Sequence, residues 1–485
     1  MTLNFDHSLA RELEGFYVPW QAAQPPAPRM VVWNADLAEA IGLPAAAEEQ
    51  MARWFSGAEE LPGSQPMALA YAGHQFGNFN PQLGDGRALL LGEVLTADGA
   101  RLDLQFKGSG ATPFSRQGDG KCGLGPALRE YLISEAMAAL GVPTTRSLAV
   151  VLTGEGVWRE TPQPGAVLTR IAASHLRVGT FEWAAAHKGR EAVEQLTDYA
   201  LQRHFPERMG ERNRLLALLD AVCEVQAVLV AKWMNLGFVH GVMNTDNVTI
   251  SGETIDYGPC AFLDAYSAAQ VFSSIDRHGR YAFANQPVVC RWNLYSLASA
   301  LIEAIVAVDE ADNEAARVML EQWGARYERH WIAGLRAKLG LTLAEEADLA
   351  LGKALFDALE GQGADFTRLF RALGASLEQG YSAVAAECTD PAALQGWWGQ
   401  WQARLAREPL TAAVRRARMD AVNPLYIPRN HLTDAALKAA EGGDMQPFND
   451  LLEVVTQPFV RRDGLERYEF GAPEGTPPHV TYCGT

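Results

Sequence analysis

The stretch from His240 to Gly258 sets oxygen-bearing side chains at intervals suited to holding a cation against a phosphate. His240 is followed seven positions on by Asn247, and Asp256-Tyr257-Gly258 comes nine positions after that. Between them, Val248-Thr249-Ile250 and Thr254-Ile255, joined by Ser251-Gly252-Glu253, predict a tight hairpin that sets Asn247 beside Asp256. A hard divalent cation needs no more than two such ligands, since Mg²⁺ keeps several waters. Either motif alone reads as a turn, because Asp, Asn and Gly favour turns. Their joint spacing after a core helix favours function.

Positive groups to meet an anion occur upstream. Lys107 ends the β-prone run Leu104–Lys107, and Glu130, near the start of a predicted helix, is placed to pair with it. Arg170 and Arg177 stand seven residues apart, a spacing that on a helix returns both to one face, within reach of one polyphosphate. Gly84-Asp85-Gly86-Arg87 and Gly118-Asp119-Gly120-Lys121 are short glycine turns whose backbone N–H groups can approach an anion closely.

These groups require a sheet and a set of helices to hold them. From about residue 68 to 170, β-prone runs at Ala88–Val94, Leu102–Phe106, Ser147–Leu152 and Ala166–Leu168 alternate with glycine turns, interrupted by one helix from Pro126 to a stop at Gly141. After Thr180 the pattern is helical. Leu215, Leu218, Val222, Val225, Leu229, Trp233 and Leu236 define a core helix ended by Gly237. Beyond Arg291 nearly everything is helical, with Trp397, Trp398 and Trp401 packing one helix face, and the tail after Pro458 is irregular.

The whole chain narrows the function. Its 485 residues, 48% hydrophobic and 20% charged, have ample material for a core. A formal charge of -17, with no basic patch, argues against nucleic acid as partner. No apolar run is long enough to cross a bilayer, and no signal peptide is read at the start, so a cytoplasmic protein is expected. The six cysteines are scattered without a Cys-x-x-Cys pair, which argues against a zinc site.

A sheet-rich half with one helix, then a helical half whose long helix feeds a loop, is the element order of protein kinases. In the kinase catalytic loop a His precedes the metal-binding Asn by seven positions, and a metal-binding Asp opens a later Asp-Phe-Gly-type motif. The expected fold is therefore α+β and kinase-like in two lobes. It comprises an N-terminal extension (1–67), a β-rich N-lobe (68–175), a helical C-lobe (176–300) and a helical C-terminal extension with an irregular tail (301–485). One position departs from the pattern: Val242 stands where a kinase keeps the Asp that accepts the substrate proton. Valine cannot do so, and Asp246 is the nearest acidic candidate. Either the chain is catalytically inactive or its reaction is rearranged.

Longer strings carry a more specific likeness. Tyr71-Ala72-Gly73-His74-Gln75-Phe76-Gly77, Gln82-Leu83-Gly84-Asp85-Gly86-Arg87, Lys107-Gly108-Ser109-Gly110 and His240-Gly241-Val242-Met243-Asn244-Thr245-Asp246-Asn247 resemble the selenoprotein O family, also called YdiU. The likeness extends through Asn423-Pro424 and Arg429-Asn430. It implies a pseudokinase-like fold that binds ATP flipped relative to kinases. Such a fold transfers AMP to Ser, Thr or Tyr hydroxyls of proteins, releasing pyrophosphate, and some members use UTP. Carried over by position, it implies Asp246 as proton acceptor and Asn247 and Asp256 as ligands of Mg²⁺ or Mn²⁺. Nucleotide contacts fall on Gly84, Gly86, Arg87, Lys107, Asp119, Gly120, Arg170, Arg177 and Asp256, with Glu130 supporting Lys107. The rival expectations are a γ-phosphoryl kinase with an unusual base and an inactive nucleotide-binding scaffold. The family's C-terminal redox switch implies, here, a Cys260–Cys483 link, although Cys260 lies closer to the motif than the family pattern has it.

Overall fold

The structure is a computed structural model that describes residues 3–482 except 45 and 160. The β-prone runs join one nine-stranded antiparallel sheet. Its strands are β1 (Phe5–Asp6), β2 (Tyr17–Pro19), β3 (Arg29–Trp33), β4 (Met67–Leu69), β7 (Ala88–Leu95), β8 (Arg101–Lys107), β9 (Cys122–Gly123), β10 (Arg146–Trp158) and β11 (Pro162–Ala172), while β5 (Gly73–Gln75) and β6 (Asn78–Asn80) form a separate hairpin. The order is β2-β4-β7-β8-β11-β10-β3, with β1 on β7 and β9 on β11. The first 67 residues thus supply β1, β2 and β3 to the same sheet that carries Lys107 and Arg170.

Alternation along β8 decides which groups reach the site. Leu104 and Phe106 enter an apolar cluster with Ile41, Met51 and Phe55, carried by or next to the helices α2 (Ala35–Ala40) and α3 (Glu48–Ser56), which follow the short α1 (Ser8–Glu12). Asp103, Gln105 and Lys107 point to the other face, as a two-residue period demands. There lies α4 (Leu124–Ala139), which closes at Gly141 in the left-handed region (φ +74). Leu128, Tyr131 and Leu132 of α4 pack against Val150 and Leu168 of the sheet. Because α4 is buried almost all round, its Glu130 needs charged partners.

The helical part follows: α5 (Val178–His187), α6 (Arg190–His204) and the long α7 (Arg214–Leu236). Asn213 caps α7 by accepting from Leu216 N, and Gly237 ends it at φ +72. Two short strands come next, β12 (Phe238–Val239) and β13 (Ala261–Phe262), paired antiparallel, so that the loop between them leaves and returns at one place. This ribbon replaces the hairpin expected over 248–255. Val248, Thr249 and Ile250 pair with the chain around Arg177, and Thr254 with Thr144 and Thr145. Each arm finds backbone partners outside the turn, so the turn itself forms no ladder.

After α8 (Gln286–Val308) the chain stays helical, and its end turns back on the site. The helices Asn430–Glu441 and Gln446–Val455 cover the outer side of α4, with Phe448 and Leu451 in the same cluster as Leu128. Arg429, fully buried, pairs with Asp264 at 3.0 Å and Asp365 at 2.8 Å. The Asn430 amide donates to Phe262 O at 2.8 Å and accepts from Phe262 N at 3.3 Å, so this helix is fastened to β13. Trp397 and Trp401 stack within the buried face of the helix Gln395–Leu405, as expected, while Trp398, expected with them, is half-buried and turns to Tyr381. The tail is irregular apart from one 3-10 turn, and ends with Thr481 paired beside Ser273. No helix among the described residues is long and apolar enough to cross a membrane.

Candidate active site

A cleft of about 750 Å³ lies between the sheet and the loop 240–260. Gly84, Gly86, Arg87, Lys107, Asp119, Gly120, Glu130, Arg170, Arg177, Asp246, Asn247 and Asp256 all line it, as does Val242. Every residue singled out from sequence for nucleotide, metal or proton therefore faces one space.

Asp256 is its electrostatic centre. Oδ1 accepts from Lys107 Nζ at 2.6 Å and from Arg170 at 2.9 Å, and Oδ2 lies 3.3 Å from Arg177. Glu130 closes the group, 2.5 Å from Lys107 and 3.1 Å from Arg170. Removing such ions from water costs several kcal/mol each, so they persist only as a mutually compensating set. Burial opposes charge on Asp256, but Lys107, Arg170 and Arg177 outweigh it and hold its carboxyl well below the usual range. Its backbone sits at φ +63, in the left-handed region that Asp tolerates.

Arg170 and Arg177 meet there by a different route from the helical spacing expected. Arg170 lies on β11 opposite Gln105 of β8, and Arg177 precedes the first turn of α5, its N–H donating to Thr180 Oγ. Both guanidinium groups converge because β11 runs directly into the turn before α5. Gln105 Oε1 accepts from Arg170 Nε at 3.1 Å, while Arg177 donates to Asp246 O at 2.7 Å and covers the Tyr71 ring at 4.7 Å.

Asp246 is held by its backbone and neighbours while its carboxylate stays uncommitted. Oδ1 is buried and has no hydrogen-bond partner among the described residues. Burial pushes its carboxyl up to about 6, against the opposing pull of Arg177. The preceding Thr245 donates to Glu182 at 2.6 Å, Glu182 contacts His74 Nδ1 at 2.6 Å, and His74 N donates back to Thr245 Oγ at 2.7 Å. Gly73 makes the room: a Cβ there would stand 2.6 Å from Asp246 Oδ1. His240 ties the loop from within, bonded through Nε2 to Ile255 O at 2.8 Å, and the Asn247 amide donates to Val242 O at 3.0 Å.

The glycine turns form the opposite wall. Gly120 adopts φ +66, and a Cβ would strike Gly110 O, so only glycine fits. Asp119 is held at the rim by Arg159 through contacts of 2.9 and 3.0 Å. The donors facing a cation are all oxygens: the ionised Asp256, the unpartnered Asp246 Oδ1 and the Asn247 amide. That set suits a hard divalent ion. Among the described residues no three His, Cys, Asp or Glu gather into a complete metal cage.

Sequence reasoning gave no role to Gln105, Asp85, Glu182, Thr245, His74 or Arg159. Gln105 was signalled by its place two residues before Lys107 on the same strand face. For Glu182 no local signal exists, since it reaches Thr245 across 63 positions. Cys260 is buried, its thiol pushed up to about 11 by that burial, and Thr481 Oγ donates to the adjoining Pro259 O at 2.8 Å. Cys483, the other half of the expected link, lies outside the described residues.

A cleft that gathers cations around one carboxylate and leaves another unpartnered defines an anion-handling centre. The family model described as protein adenylyltransferase SelO matches residues 1–456, and the chain belongs to this family. A protein nucleotidyltransferase YdiU of Sphingopyxis alaskensis is 53% identical over 488 residues, and one of Cereibacter sphaeroides 53% over 494, each alignment covering 100% of both chains. One of Rhizobium rhizogenes is 49% identical over 491 residues, covering 99% of this chain and 97% of its own.

Proposed function

We propose that the chain is a protein nucleotidyltransferase that moves AMP from ATP to Ser, Thr or Tyr hydroxyls of other proteins, releasing pyrophosphate; UTP as a UMP donor falls within the same reading. The observation that carries it is the division of labour between two carboxylates. Asp256 is held ionised by three cations, whereas Asp246, next to Asn247, is buried and unpartnered, its carboxyl raised to about 6. Its relatives' names, protein nucleotidyltransferase, support the same reaction class.

In this reading Lys107, Arg170 and Arg177 neutralise the phosphates and the leaving pyrophosphate, with Glu130 holding Lys107. Gly84 and Gly120 offer backbone N–H groups, Gly86, whose N–H is given to Gly84 O, lets the nucleotide pass close to the backbone, and Arg87 and Asp119 flank the nucleotide. Asn247 and Asp256 would hold Mg²⁺ or Mn²⁺, which when bound adds positive charge against the phosphates. Asp246 accepts the proton of the acceptor hydroxyl as that oxygen attacks the α-phosphorus. Val242, in the usual kinase position for the base, offers no alternative. The sheet-rich part, residues 1–67 included through β1, β2 and β3, and the helices after it act as the two lobes of a kinase-like fold, with divisions near 175 and 300. Among the described residues Cys122, Cys223, Cys260, Cys290 and Cys388 pair with no other cysteine, which suits the cytoplasm as its location.

The test is incubation with ATP labelled at the α- or the γ-phosphate. Label on protein from the α position alone is expected; label from γ alone means a kinase, and from neither a binding scaffold. Asp256→Ala should abolish metal-dependent nucleotide binding and transfer together, while Asp246→Ala should lower transfer by about 10²–10⁴-fold and leave nucleotide binding near wild type. Full transfer by Asp246→Ala would remove it as the base.

A further inference from the structure

On the other side of Phe76 from the cleft lies a second hollow of about 480 Å³. Phe76 and Ile275 line both spaces, so the hollow adjoins the cleft that holds Asp246. Phe76 stands at φ 50, fixed by a bond from its N–H to Asn244 Oδ1 at 3.0 Å, and serves as a rigid divider. Part of the wall is apolar and open, with Ile275 47% and Val288 64% exposed.

The charge of this wall is opposite to that of the molecule. The chain carries a formal -17, yet the wall presents Arg277, His278 and Arg280. Its only carboxylate, Asp276, is committed to its own loop, accepting from Arg280 N at 2.9 Å and Tyr281 N at 2.8 Å. The Arg280 guanidinium lies over Trp292 at 4.7 Å. Among the described residues no carboxylate pairs with it, so a guanidinium held by a ring is left to take one from outside.

The backbone edge at 272–274 is closed by the chain's own tail: Thr481 N donates to Phe272 O at 2.8 Å, and Ser274 N donates to Thr481 O at 2.9 Å. A docking segment is therefore read by side chains of the hollow.

We infer that this hollow docks the acceptor protein. The occupant is an extended segment carrying an apolar side chain and an Asp or Glu close to the hydroxyl residue that enters the cleft. The inference rests on the transfer reading above and names its substrate class.

The experiment uses the full-length protein, α-labelled ATP and a peptide library with Ser, Thr or Tyr flanked by acidic, neutral or basic residues, beside a protein extract. Acidic-flanked peptides should be labelled with kcat/KM about tenfold above basic-flanked ones. Arg277→Glu/Arg280→Glu should invert that preference through KM, leaving KM for ATP unchanged; the exposed Arg277→Glu alone should shift it the same way if the double variant loses folded protein. Equal labelling of acidic and basic peptides by the wild type, or a preference unmoved by folded variants, overturns the docking site while transfer stands. No α-label on any peptide or extract protein overturns the transfer reading, and this inference with it.

Discussion

One face of strand β8 carries two buried charge clusters, and only one of them is a site. Around Asp103, every carboxylate oxygen is taken by the chain itself: Oδ1 by Arg203 at 2.5 Å, Oδ2 by His175 through its N–H at 2.8 Å and its ring at 3.0 Å. Glu93 beside it accepts from the backbone of Ser8 and Leu9 and pairs with Arg101 at 2.8 Å. Four residues along β8, the Lys107 cluster has the same ingredients but faces a cleft of about 750 Å³, with Asp246 Oδ1 left without a partner. Burial of charge is common to both. What distinguishes a site is an incomplete set of partners facing a space that something else can fill.

The sharpest way to break this comparison is Asp103→Ala. It leaves Arg203 buried without its main counterion and should cost about 3–5 kcal/mol of stability, read by denaturant unfolding, while folded protein keeps its nucleotide affinity. A comparable loss of nucleotide binding by folded Asp103→Ala would mean that the two clusters are not separate. Glu130→Gln tests the other side. It should lower transfer about 10–100-fold by loosening Lys107 and Arg170, and should lower the melting temperature as well, because Asp256 alone then faces three buried cations. Unchanged transfer would reduce Glu130 to packing.

The smallest effect concerns Glu253, which accepts from Ala173 N at 2.9 Å and lies near the closed cluster. Burial pushes its carboxyl up to about 7 from the ordinary 4.5. The folded state therefore holds this proton more tightly than the unfolded chain. Its stabilising contribution is full below about 4.5 and is lost as pH rises through about 7. Glu253→Gln should flatten the fall in melting temperature between about pH 5 and 8 by roughly a few degrees. A fall of unchanged steepness would assign it to other groups.

What could be read from sequence followed the range of the interactions. The helix bearing Glu130 and the strand ending in Lys107 announced themselves by local period, and the Lys107–Glu130 pair by the places of both in the kinase order of elements. Arg170 and Arg177 were rightly grouped, but on a helical spacing, because nothing local says that β11 ends between them. The hairpin over 248–255 failed for a related reason: its arms hydrogen-bond to Leu176, Val178 and Thr145, partners set by tertiary packing. Strands β1 and β2 pair across more than 45 residues and carry no local mark of their partners. Asp246 was found through the string around it, whereas the space that leaves it unpartnered depends on Gly73, far away in sequence.

The helices at 430–455 that cover α4 also set the timing of assembly. Asp256 leaves the ribosome about 200 residues before the chain that fastens β13 and the back of α4, on the order of 10–40 s at roughly 5–20 residues per second. Until then a growing chain holds the loop and the Lys107 strand without the bracket that fixes them together. A late-made part of the chain thus completes the support of the cleft, and premature termination anywhere before residue 430 leaves that support unfinished.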